Sequence, residues 1–302
     1  MCIRDSLSDE DEADLRRIGR LTWRFFEDFV GPDTNHLPPD NFQETPAPKL
    51  AERTSPTNIG LYLMSVMSAH DLGWIGVETA LKRIDATLGT MERMARFRGH
   101  FFNWYDTRTL TVLPQPYVSS VDSGNLAGAL IALASGLRGW ASEAAAIRQP
   151  RTRGIADTLG VLRTRIAALP EPQRALRELR QSLDTAVAGF AVALQQISAH
   201  RGRGTLAQAQ LRSLAADIDR LAADLAGSLP GDEGAEVAHW SRALVRHCDD
   251  VLQPLSEGRD ALRSFAVRVG VMAERARALA FEMDFAMLVD PCLLYTSPSP
   301  RD

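Results

Sequence analysis

Lysine is nearly missing from this sequence: of 34 basic residues, Lys49 and Lys82 are the only lysines. Acidic residues outnumber basic ones, 38 to 34, leaving a net charge of −4. That balance lacks the positive excess needed to displace counterions from phosphate, which excludes generic nucleic-acid binding. Arginine dominance beside abundant alanine reads as GC-rich coding bias rather than a binding device. Cysteine is scarce, with Cys2, Cys248 and Cys292 only, too few for a disulfide framework, so a reducing compartment fits. No run approaches the ~20 apolar residues that span a bilayer; long uncharged segments such as Ser123 to Leu137 carry glycines and Asn125 and read as buried helix. The stretch Ser8 to Asp14 is acidic, unlike a signal peptide. There is no phosphate-cradling glycine loop, nucleophile elbow or dinucleotide fingerprint. The six histidines have no metal-ligand spacing; His239 and His247, beside Cys248, are eight apart. With 45% apolar and 24% charged residues, wholesale disorder is excluded.

Both ends, 1–6 and 292–302, look like translated adapter sequence and are expected to be foreign, which would leave Cys248 alone and make the chain a piece of a longer protein. Between them the text changes character. Fourteen of twenty aromatic residues lie in the first 140 positions, including four of five tryptophans. From about Ala141 to Leu255 the sequence turns to Ala, Leu, Arg and Glu. There Leu176, Leu179, Leu183, Val187, Phe190, Leu194 and Ile197 step by three or four, and so do Leu211, Leu214, Ile218, Leu221 and Leu225. Such one-sided stripes are helical. The first is roughly 33 Å long at 1.5 Å per residue. Gly202-Arg203-Gly204 breaks between them, so an antiparallel hairpin is expected, packed within the molecule or offered to a partner. Further helices are expected over Glu233 to Val251 and Arg259 to Met287.

In the first part a helix over Asp11 to Phe29 ends at Gly31-Pro32. A loop with six prolines from Pro32 to Pro56 follows. Ser55-Pro56 then supplies an N-cap and a proline at the first helical position. That helix ends near Leu72-Gly73, and a short turn leads to a third, Val77 to Arg96. A second long loop, Phe97 to Val121, precedes a fourth helix with Asp122 as its expected N-cap. Alternate connections between antiparallel helices fall at one end of a stack, so both long loops are expected on one rim. Loops of this length are usually functional.

The first loop contains Asp40, Asn41, Gln43, Glu44, Arg53 and Asn58; the second contains Asn103, Trp104, Tyr105 and Asp106, and leads to Asp122 and Asn125. Aromatic rings that pack on pyranose C–H faces, interleaved with carboxylates and amides that bind hydroxyls, suit a sugar site. Each residue has a plainer reading. Asp122 and Ser55 could only cap helices, Trp104 could be core, Arg53 could pair with Glu44 or Glu52, and Asp40 and Glu44 could be solvated charges.

The stretch from Leu21 to Trp140 resembles the glucoamylase-like middle region of bacterial cyclic β-1,2-glucan synthases. The resemblance lies in six words in order: Trp23-Arg24-Phe25-Phe26, Pro38 to Glu44, Arg53 to Gly60, Asp71 to Gly76, Gly99 to Thr107 and Val118 to Gly128. Met283 to Pro291 resembles the family's next segment, and the helices between match only in character. The resemblance implies an inner-membrane synthase whose separate glycosyltransferase domain uses UDP-glucose, whose middle domain closes a glucan into a ring by transglycosylation, and whose phosphorylase-like domain trims its length. It implies an all-α chain forming the first half of an (α/α)6 toroid, with a long antiparallel helical-hairpin insertion. The division expected is 7–140 for the first helices and substrate loops, 141–255 for the insertion and 256–291 for a helix leading to the second half.

Ring closure needs two carboxyl groups, and in this family both are expected beyond Pro291. The twelve loop residues above would then be substrate-binding subsites, with catalytic residues unknown; alternatively two of Glu44, Asp106 and Asp122 are catalytic. No cofactor or metal is expected for this region. The expected partners are a β-1,2-glucan chain and the remaining domains of the parent, with no nucleic acid, at the cytoplasmic face of the inner membrane. The competing reading is a non-catalytic scaffold that docks partners through the hairpin.

Overall fold

A computed structural model describes residues 8–170, 176–199, 205–229, 232–253, 255 and 258–288. The adapter-like ends lie outside the described residues. The chain is all-α: the described residues form ten helices and six two-residue strands. The helices are α1 (Asp9–Phe29), α2 (Pro56–Asp71), α3 (Val77–Arg93), α4 (Ser120–Ser142), α5 (Ala144–Ile147), α6 (Arg153–Ala167), α7 (Arg177–Ala199), α8 (Thr205–Ala226), α9 (Asp232–Val251) and α10 (Arg259–Phe281). Among the described residues no helix is long and apolar enough to cross a membrane. The chain divides into two compact units: Met1–Phe25, Ser68–Ala80 and Ala145–Glu257 form the first, and Phe26–Met67, Leu81–Ala144 and Gly258–Asp302 the second.

The first unit is built on a four-helix bundle. Helix α6 packs on α7, α7 on α8, α8 on α9 and α9 back on α6. The expected hairpin of α7 and α8 is therefore two sides of a closed bundle, and its stripes are satisfied within the unit. Leu183, Val187, Phe190 and Leu194 of α7 share one core with Leu211, Ala215, Ile218 and Leu225 of α8. Leu214 and Leu221 sit at the margin while Ala215 and Ala222 are buried, because small residues let α8 approach its neighbours closely. Gly202-Arg203-Gly204 lies outside the described residues.

A polar chain crosses this core. The buried Arg20 of α1 donates through Nε to Thr158 Oγ1 of α6 at 2.9 Å. Thr158 Oγ1 lies 2.8 Å from His247 Nδ1 of α9, and His247 Nε2 lies 2.7 Å from the Gly73 carbonyl. A carbonyl only accepts, so Nε2 carries the imidazole proton and Nδ1 accepts from the threonine hydroxyl. Burial, reinforced by the Arg20 charge, pushes the His247 pKa down to about 3. The Gly73 turn needs its glycine: φ is +82°, and a Cβ there would lie 2.5 Å from the Arg151 carbonyl oxygen.

In the second unit α10 lies along α4, burying Leu126, Leu130, Leu133 and Leu137 of one and Phe265, Val269, Met272, Ala276 and Leu279 of the other. Arg275 of α10 bridges Asp85 and Glu92 of α3. Helix α2 begins as expected, with Ser55 Oγ accepting the Asn58 N–H at 3.2 Å. Three boundaries differ. Ser119, not Asp122, caps α4, its hydroxyl accepting the Asp122 N–H at 3.1 Å; Asp122 is thereby a first-turn acid beside the positive end of the helix dipole. Helix α3 stops at Arg93, because Arg96–Phe97 (β4) turns back onto His100–Phe101 (β5) through Arg98 and Gly99, both at positive φ. Helix α10 ends at Phe281, after which Asp284 N donates to the Arg98 carbonyl and Phe285–Leu288 forms a 3-10 turn.

Candidate functional site

Both long loops belong to the second unit, and short strands organise them. Phe42–Gln43 (β1) pairs with Lys49–Leu50 (β2), so the first loop doubles back on itself. This fold-back brings Asp40 beside the following strand: Asp40 N donates to the Ala51 carbonyl, and Ala51 N to the Asn41 carbonyl. Arg53–Thr54 (β3) then pairs antiparallel with Tyr105–Asp106 (β6) of the second loop, Arg53 facing Asp106 and Thr54 facing Tyr105. Successive strand residues point to opposite faces. Thr54 and Tyr105 accordingly turn inward and are fully buried, while Arg53, Trp104 and Asp106 share the outer face. A second tie comes from Asn35, whose side-chain amide donates to the Thr107 and Arg108 carbonyls.

On the outer face the residues meet around one guanidinium. Arg53 donates from Nε (3.1 Å) and Nη2 (2.9 Å) to Asp40 Oδ2, and its Cζ lies 4.5 Å from the centroid of the Trp104 ring. Asn41 Nδ2 reaches the same Asp40 oxygen at 3.1 Å, and Asn58 Nδ2 reaches Oδ1 at 3.3 Å. Arg53 therefore pairs with neither Glu44 nor Glu52; Glu52 is taken by Arg108. Trp104 is half-buried.

One residue away along α2, Thr57 donates to Asp122 Oδ1 at 2.6 Å and accepts from Asn125 Nδ2 at 3.2 Å. Asp122 Oδ2 makes no hydrogen bond among the described residues, and Asn125 is exposed. Asp40, Asn41, Arg53, Asn58, Trp104, Asp122 and Asn125 thus fall into two clusters joined through the first turn of α2. Thr57 was not singled out by sequence, where it is one hydroxyl among many; its place between Asp122 and Asn125 depends on how α2 meets α4.

The other candidates stand elsewhere. Gln43 and Glu44 are exposed at the β1–β2 tip, with Gln43 Nε2 donating to the Thr45 carbonyl. Asn103 is buried and holds the loop closed, exchanging two hydrogen bonds with Tyr117. The side chain of Tyr105 is an internal strut rather than a surface ring. Its hydroxyl donates to the Ala95 carbonyl (2.6 Å) and accepts from Phe102 N (2.8 Å), and burial pushes its pKa up to about 12. Asp106 Oδ1 accepts from Thr109 N, Thr109 Oγ1 and Arg108 N, an Asx-type turn led by the Thr109 amide that holds the carboxyl below its usual range. Among the described residues no group of three His, Cys, Asp or Glu side chains has metal-binding geometry.

No family model matches the chain. Along 285 residues, 94% of its length, the chain is 44% identical to the cyclic β-(1,2)-glucan synthase NdvB of Rhizobium meliloti (strain 1021). The chain is homologous to a segment of that synthase. It spans about 10% of the relative's length. Among solved structures, a glucoamylase candidate from Bacteroides fragilis NCTC 9343 superimposes with a TM-score of 0.36 at 22% identity, over 52% of this chain and 37% of that one.

Proposed function

We propose that this chain is a glucan-handling portion of a cyclic β-1,2-glucan synthase, and that the two loops of its second unit contact the glucan during ring closure. The observation that carries this reading is the junction at Arg53, where a carboxylate, two amides and an indole from the two loops and the first turn of α2 come together on one face, in a chain homologous to part of NdvB. Trp104 offers a ring for a pyranose face, and Asn41, Asn58, Asp122 and Asn125 offer donors and acceptors for hydroxyls. On this reading the helices of the second unit belong to an (α/α)6 toroid, and the two carboxyl groups of ring closure lie in parts of such a synthase outside this chain.

Calorimetric titration of the chain with linear β-1,2-linked gluco-oligosaccharides tests it. Saturable binding is expected, weakened at least tenfold by Trp104→Ala, on the order of one stacking contact plus its buried area. Undetectable binding, or affinity indifferent to both Trp104→Ala and Asp122→Ala, would refute the assignment of the surface.

A further inference from the structure

Arg53 stands directly opposite Asp106 in the β3–β6 pair, yet it makes no use of that carboxylate. Asp106 spends Oδ1 on its own turn, and the guanidinium instead lies between Asp40 Oδ2 and the Trp104 ring. Trp104 is two residues from Asp106 on the same strand face. It is therefore the diagonal neighbour of Arg53, within reach of a long side chain. Two hydrogen bonds to one carboxylate oxygen fix the plane of the guanidinium, and Asn41 and Asn58 hold that carboxylate in turn. One face of the indole is thus covered by a cation held from behind.

We propose that Arg53 is a positioning residue that turns Trp104 into a one-faced platform: it fixes the ring and occupies one side, leaving the other for a single sugar ring. Asp40 acts through Arg53 and not on the glucan. Because the sugar belongs to the function proposed above, this inference rests on that reading, but its mechanical half does not. A guanidinium stacked on one face also draws on the ring's quadrupole, so its removal changes the electronic surroundings of the indole even in the free protein.

The test uses the full chain labelled with 5-fluorotryptophan, with Trp104 assigned among five resonances by Trp104→Phe. Arg53→Gln is expected to shift and broaden the Trp104 line in the free protein and to leave the other four in place. Arg53→Lys, which keeps the cation, restores part of the shift, and Asp40→Asn produces a smaller change in the same line. Titration with β-1,2-linked gluco-oligosaccharides is expected to show Arg53→Gln weakening binding by about five- to thirtyfold, the range of a partly desolvated cation–π contact. In a Trp104→Ala background the same substitution should add no further loss, because Arg53 acts only through the ring. A Trp104 line that ignores Arg53→Gln, or losses that multiply in the double variant, would overturn the proposal. Binding weakened by Asp122→Ala but not by Trp104→Ala would overturn it as well, whereas binding that ignores both would refute the glucan reading, and the free-protein spectra would still decide whether Arg53 fixes the ring.

Discussion

Thr158→Val isolates the polar chain in the first unit with almost no change in shape. The hydroxyl performs two tasks, accepting from Arg20 Nε at 2.9 Å and donating to His247 Nδ1 at 2.8 Å. Valine fills the same space and can do neither. His247 cannot recover by changing tautomer, because its Nε2–H is committed to the Gly73 carbonyl at 2.7 Å. A buried group left without its hydrogen bond costs about 1–3 kcal/mol, more when it is charged. The extra apolar burial returns less than about 1 kcal/mol, so a net loss of about 3 kcal/mol is expected. For a unit of this size that lowers Tm by roughly 6–12 °C. Thr158→Ser keeps the hydroxyl and loses one methyl, at about 1 kcal/mol. Urea and thermal unfolding followed by circular dichroism measure both. Equal losses from valine and serine would refute the reasoning, since the methyl rather than the hydroxyl would then carry the effect.

The same histidine sets a pH dependence. Above about pH 6.5 the ring is neutral in both states, and below it the unfolded chain takes up a proton that the folded chain refuses until about 3. Stability should therefore fall as pH drops through that window, by up to about 1.4 kcal/mol per unit. His70, held near 4 by burial and then by the Arg151 charge, adds a second increment over the same upper range; a flat urea midpoint between pH 7 and 5 would contradict both assignments. Gly99→Ala should lower the thermal midpoint sharply, by more than about 2 kcal/mol in unfolding free energy. Its φ is +80°, and the new Cβ would sit 1.9 Å from the Glu282 carbonyl oxygen. Ser119→Ala should cost about 1 kcal/mol as the loss of a helix cap, whereas Asp122→Asn should change unfolding little; the reverse order would return the cap to Asp122.

The helices whose signals are local could be read from sequence. Helix α1 is bounded by acidic residues and by Gly31-Pro32, α2 opens on Ser55-Pro56, and the stripes of α7 and α8 repeat without interruption. Helix α6 has no clear signal in the sequence, although Ile155, Leu159, Leu162 and Ile166 lie on one buried face. Two of its inward positions are Gly154 and Thr158, which break the apolar pattern. Each is explained only by a distant partner: Gly154 because a Cβ would fall 2.1 Å from the Gly73 oxygen, and Thr158 because Arg20 and His247 need its hydroxyl. Without α6, two stripes look like a hairpin, whereas the bundle is a property of four helices together. The misplaced α4 cap has a similar origin. Ser119 and Asp122 are three residues apart and both cap helices well, so only the direction of one hydrogen bond separates them.

The loops show the same division between what is local and what is not. Their length and their mixture of rings, amides and carboxylates are visible in sequence. The partner of Arg53 was not visible, because adjacency in the chain favours Glu52 and the hairpin register favours Asp40, thirteen residues away. Once β1 and β2 pair, Asp40 is carried back to Ala51, and the alternation of β3 and β6 decides the rest. It turns Thr54 and Tyr105 inward and leaves Arg53 and Trp104 outside. Tyr105 and Trp104 are chemically similar candidates when read as letters, yet a period of two residues assigns one to hold the loop and the other to meet solvent. A one-residue slip in this pairing would exchange those roles, so the register of two short strands determines which aromatic ring is available to a ligand.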